Sequence, residues 1–176
     1  MKTVPPEHTN ASATAARSGF RVVSEDGILT GIVGAVVVSL IFLLLDFANG
    51  RPFHTPSLLG SVIFRGQHVS DLSGPDPVMI FAYTGLHGAA FLVVGFLLAV
   101  LFREFEKHPK LGLELLVVLL VFEGLLMGAE VTLFPALVGE LGAWAVATAN
   151  IASLIAMFAF LAYRQPQALQ ALRESE

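Results

Sequence analysis

The chain has 176 residues, 55% of them hydrophobic and 14% charged, with a formal charge of -4 at neutral pH and a mean hydropathy of +0.76. Those values are far from a soluble average, and the ten basic residues form no patch able to neutralise a run of phosphates, so nucleic acid is not an expected partner. The absence of cysteine excludes disulfides, thiolate metal centres and cysteine nucleophiles.

The expected protein is an all-α integral membrane protein, a four-transmembrane-helix bundle in contact with the lipid bilayer. Residues 1–26, rich in Ser, Thr and Ala with Pro5 and Pro6 adjacent, read as a disordered cytoplasmic tail. They do not read as a cleaved signal, because Glu25 and Asp26 precede an apolar run too long for an h-region. A span needs roughly 20 apolar residues, and the first is expected over about 27–48. Wound as a helix, it gathers Gly31, Ala35, Ser39, Asp46 and Asn49 on one small and polar stripe.

The segment from Arg51 to Pro77 contains a run, PSLLGSVIF, too short to span. Thr55 followed by Pro56 has the form of a helix start, so a short interfacial or re-entrant helix is expected between spans 1 and 2. The second span covers about 77–102 and places Tyr83 and His87 one turn apart. The third, about 111–134, carries Glu114, Glu123 and Glu130, with Gly124 and Gly128 as a G-x-x-x-G pair suited to helix packing. A turn at Pro135 and Gly139 leads to the fourth, about 136–163, where Glu140, Ala143, Ala147 and Asn150 share a face. Residues 164–176 form a second cytoplasmic tail.

Eight of the ten basic residues lie before span 1, between spans 2 and 3, or after span 4, leaving Arg51 and Arg65 on the other side. The positive-inside rule therefore predicts a cell (inner or plasma) membrane protein with both termini cytoplasmic.

From the helix rise, His87 and Glu123 lie about 15 Å below the outer ends of their spans, near the midplane. An acid at that depth is costly unless it is paired or used, so His87, Glu123 and Glu130 are the candidate ligands for a cation, proton or metal entering from outside. Asp46, Glu140, His54 and His68 are further candidates at the rim. Carboxylate and imidazole together suit manganese, iron or zinc, whereas haem or a chlorin is less well served, His87 being the one histidine inside a span. Glu114, beside Lys110 at the cytoplasmic edge, reads as a snorkelling residue. The competing reading is a small accessory subunit packed against other membrane subunits or against a second copy of itself. No phosphate loop, nucleophile elbow or H-E-x-x-H pattern is present to indicate an enzyme.

Overall fold

The computed structural model describes residues 8–71, 74–107, 117–118, 121, 124–125, 127–128, 131–132 and 135–165. Five α-helices are delimited: α1 His8–Ala48, α2 His54–Arg65, α3 Pro77–Lys107, α4 Pro135–Leu141 and α5 Ala143–Arg164, with a 3-10 turn at Val69–Asp71 before α3. No strand occurs among the described residues. Three of these helices are long and apolar enough to cross a membrane: Arg21–Ala48, Pro77–Glu104 and Ala143–Arg164. Large apolar side chains cover their outer surface, among them Leu44 at 68%, Phe81 at 78% and Ile155 at 63% exposure, as a lipid solvent requires. The expected third span, 111–134, lies mostly outside the described residues; those of its residues that are described are helical.

Helix α1 begins at His8, upstream of the tail boundary expected at residue 26. After Pro6 the sequence SATAAR contains no helix breaker, so nothing local stops the first span from continuing into the Ala-rich segment. The helix ends where Gly50 takes φ +67, with Gly50 N donating to Phe47 O at 3.0 Å and Arg51 N to Asp46 O at 2.9 Å. This pattern of a left-handed glycine with paired closing bonds is the Schellman stop. The expected fourth span is also shorter than its apolar run, because Gly142 at φ +83 separates α4 from α5.

Helix α1 is the centre of the fold, packing most extensively on α3 and then on α5. Glycine makes the first contact close. A Cβ on Gly95 would lie 2.3 Å from the Gly27 carbonyl oxygen and 2.3 Å from Gly31 N, so the α1 and α3 backbones touch there. Gly34 similarly faces Met157 of α5 and Phe91 of α3. Small residues permit such approach in lipid, where dispersion contacts and not water exclusion draw helices together. The packing glycines are thus on spans 1 and 2; a Cβ on Gly124 or Gly128, the expected pair, would meet nothing within 4 Å. Val23, Leu98, Ala99, Phe102, Met157 and Leu161 complete a core between α1, α3 and α5, towards the start of α1 and the end of α5.

Helix α2 is clamped against the other two at both ends. Asp46 Oδ2 accepts from Thr55 N and Oδ1 from Thr55 Oγ1, each at 2.8 Å. One turn in, Asp76 N donates to Ser57 Oγ at 2.8 Å, and at the far end Arg65 pairs with the Asp76 carboxylate. Asp76 also caps α3, accepting from Val78 N at 2.9 Å and Met79 N at 3.3 Å. In the middle, a Cβ on Gly60 would fall 2.3 Å from Met79 O. The buried face of α2 is therefore Thr55, Ser57, Leu58, Gly60 and Ser61, while Ile63 and Phe64 point outward. An inward polar face and an outward apolar one suit an interfacial helix whose surroundings are lipid. Thr55 does not cap α2, as its sequence position suggested; Phe53 occupies the cap position, and Thr55 is engaged by Asp46.

Candidate functional site

His87 sits on α3 facing α1, half-buried, with Nε2 at 3.3 Å from the carbonyl oxygen of Ala35. A carbonyl only accepts, so Nε2 carries the proton and donates, which leaves Nδ1 as the nitrogen with a lone pair in the neutral ring. Its ring lies between Tyr83 and Phe91, with centroid separations of 5.6 and 4.8 Å. The spacing 83, 87, 91 puts these three rings on one face of α3.

Two cavities adjoin this face and share Val38, Phe42, Leu59, Tyr83 and His87 as walls. One, of about 190 Å³, lies between α1 and α3 under the start of α2, where Ser39, Thr55, Tyr83 and Thr84 bring hydroxyls to a mostly apolar lining. The other, of about 240 Å³, lies towards α4 and α5 and reaches Asn150. Both are in the half of the molecule that contains α2, away from the glycine crossing. A third space of about 70 Å³, at the rim formed by the end of α1 and the starts of α2 and α5, is lined by Asp46, Asn49, His54 and Glu140, among others.

The rim cluster is held by ion pairing. Arg51 Nη1 donates to Glu140 Oε1 at 3.2 Å, and His54 Nε2 lies 3.5 Å from the same oxygen. These contacts join the turn after α1 and the start of α2 to α4. Arg51 is half-exposed, so the pair contributes little stability by itself.

The sequence candidates therefore separate into groups. Asp46, His54 and Glu140 do come together at the rim, but Asp46 is not an open rim ligand: it is buried, with both oxygens taken by Thr55. His68 is exposed in the loop before α3. His87 stands at the two larger cavities. Glu123 and Glu130 lie outside the described residues, as does Glu114. Among the described residues no group of three His, Asp or Glu side chains is placed to hold a metal ion. The chain matches no family model, no curated protein and no solved structure.

Sequence reasoning missed the second buried acid. Asp26, read as part of a tail, is 2% exposed. Its Oδ1 accepts from Arg164 Nε at 2.9 Å and Nη2 at 2.7 Å, and its Oδ2 from Gln165 Nε2 at 2.7 Å. The signal was present: an acid starting one span and a base ending another fall at the same membrane edge. Phe53 was missed as well. Among the described residues it is the one non-glycine with positive φ, 61°, a conformation disfavoured by Cβ sterics that no propensity scale anticipates.

Proposed function

We propose that this chain is a four-span membrane protein, with both termini cytoplasmic, that takes up a proton or cation from the outer side at a site formed by His87 with Glu123 and Glu130 of the third span. The observation that carries the reading is His87: a histidine within a span, its Nε2 committed to Ala35, its ring lining two cavities. An ionisable group at such depth is a functional default, because lipid offers it no hydration. The two described buried acids have structural duties, so the exchangeable charge falls to the third span, and carboxylates near a histidine share protons as one unit.

A second reading, an accessory subunit, draws support from open small-residue surfaces. A Cβ at Gly85, Gly88, Gly124 or Gly128 would meet nothing within 4 Å, and such positions accommodate a neighbouring helix.

The test combines metal analysis of the detergent-purified protein with nitrogen NMR titration of His87, for the native chain, Glu123→Gln and His87→Gln. A His87 titration displaced by Glu123→Gln, without bound metal, is expected. Stoichiometric metal lost in both variants would convert the site to a metal centre; no metal and an undisturbed titration would leave the accessory role.

A further inference from the structure

One ring nitrogen at the rim stands between two opposed partners. His54 Nε2 lies 3.3 Å from Arg51 Nη1 and 3.5 Å from Glu140 Oε1, and the same Arg51 nitrogen donates to the same Glu140 oxygen at 3.2 Å. A guanidinium only donates and a carboxylate only accepts. Nε2 can therefore accept from Arg51 while it is bare, or donate to Glu140 while it carries a proton, and it cannot do both.

In the neutral ring the nearer partner sets the tautomer. With Nε2 accepting from Arg51, the one ring hydrogen is on Nδ1, the reverse of His87, whose Nε2 donates to Ala35. Local structure holds the pair together: His54 N donates to Arg51 O at 3.1 Å, and the next residue, Thr55, is pinned by Asp46.

The charged side chains lining the space around His54 are Asp46 and Arg51, from α1 and its closing turn, and Glu140, from α4; α5 brings the ring of Trp144 and, among the described residues, α3 brings none. Both oxygens of Asp46 are taken by Thr55, so Glu140 is the carboxylate open to an imidazolium. No group of three ligands is placed here to hold a metal among the described residues. His54 is also the first residue of α2, and a helix amino end disfavours a cation. A protonated ring at this position depends on Glu140.

We propose that His54 is a proton-operated partner switch. In the neutral state the two hydrogens of Arg51 Nη1 serve His54 and Glu140, and α4 is held by the turn after α1. Uptake of one proton at Nε2 turns that acceptor into a donor. The bond from Arg51 to the ring is lost, Nε2–H pairs with Glu140, and α4 becomes tied directly to the start of α2. The switch stands on the rim geometry and is independent of the reading of His87.

The experiment uses the full chain in phosphatidylcholine vesicles, isotope-labelled at histidine nitrogen and glutamate carboxyl carbon and read by solid-state NMR. Spectra at about pH 8 and about pH 5 bracket the ordinary histidine pKa of about 6.5 and stay above the ordinary glutamate value of about 4.3. His54→Gln identifies the His54 resonances. At pH 8 the native chain is expected to show Nδ1 protonated and Nε2 bare. Arg51→Met, at a half-exposed position, should return the hydrogen to Nε2, whereas Glu140→Gln should leave it on Nδ1. At pH 5 the dipolar contact between Nε2 and the Glu140 carboxyl carbon should strengthen as the bond contracts to about 2.8 Å; Arg51→Met should bring that contact forward to pH 8. A protonated Nε2 at pH 8 in the native chain, a tautomer indifferent to Arg51→Met, or a contact to Glu140 no stronger at pH 5 than at pH 8 would each overturn the switch, and the comparison of the native chain at the two pH values needs no variant.

Discussion

Both oxygens of Asp46 are occupied by Thr55, and both partners are buried. Asp46→Ala would strand the Thr55 N–H and hydroxyl, at a cost of about 1–3 kcal/mol; Asp46→Asn, keeping one acceptor, should lose less. Reversible unfolding in mixed detergent micelles reads the difference, with the exposed Asp71→Ala as the neutral comparison. Asp76 behaves otherwise. The hydrogen bond from Arg65 is the largest influence on its carboxyl and holds it below the usual carboxylate range, with the α3 backbone amides acting in the same direction. A depressed value means that its contribution is complete above the ordinary carboxylate pKa of about 4 and fades as pH falls through the lower folded value. The stability gap between the native chain and Asp76→Asn should accordingly be constant from pH 7 to pH 5 and close below about pH 4; a gap that widens on acidification would contradict the assignment.

At the scale of elements, the contact of α1 with α3 depends on missing side chains. Gly95→Leu should force the two backbones apart and destabilise the protein by about 1–3 kcal/mol or more, while Gly85→Leu on the open side of the same helix should be nearly silent. Equal effects in detergent unfolding would show that the crossing is not the tight point. This contrast explains what the sequence disclosed. Apolar length and composition delivered α1, α3 and α5, because crossing lipid demands both. Glycine spacing did not reveal the interface: Gly124 and Gly128 have the familiar spacing and open surroundings, whereas Gly27, Gly31 and Gly95 meet across two helices that are far apart in sequence. The short helix α2 was legible from PSLLGSVIF, but its anchoring was not, since Asp46 reaches α2 over a turn whose path depends on Gly50 and Phe53 taking left-handed conformations. At the candidate site, Tyr83 and His87 were legible as neighbours from helical spacing, while the Ala35 carbonyl, a backbone atom, left no mark on the sequence.

For the whole molecule the first question is the number of crossings, and the chain's lack of cysteine makes it simple to ask. Single substitutions Thr3→Cys, Ser70→Cys and Ser175→Cys can be probed in intact cells with a membrane-impermeant maleimide. Four spans predict labelling at residue 70 alone before lysis, and at all three positions afterwards. Labelling of residues 3 and 175 from opposite sides would mean an odd number of spans and remove the third from the membrane.

The pairing of Asp26 with Arg164 and Gln165 has a consequence for biogenesis. During translation Asp26 emerges early, at the start of the first hydrophobic segment, and the two side chains that satisfy it are made more than a hundred residues later. Helices α1, α2 and α3, all of which are made before α5, can insert and associate while the ribosome is still working. The acid stays without its guanidinium until α5 has crossed and its last turn has docked. Closure of that contact therefore reports that α5 has been made and docked, and an insertion intermediate stalled before Arg164 carries a carboxylate that still lacks its guanidinium.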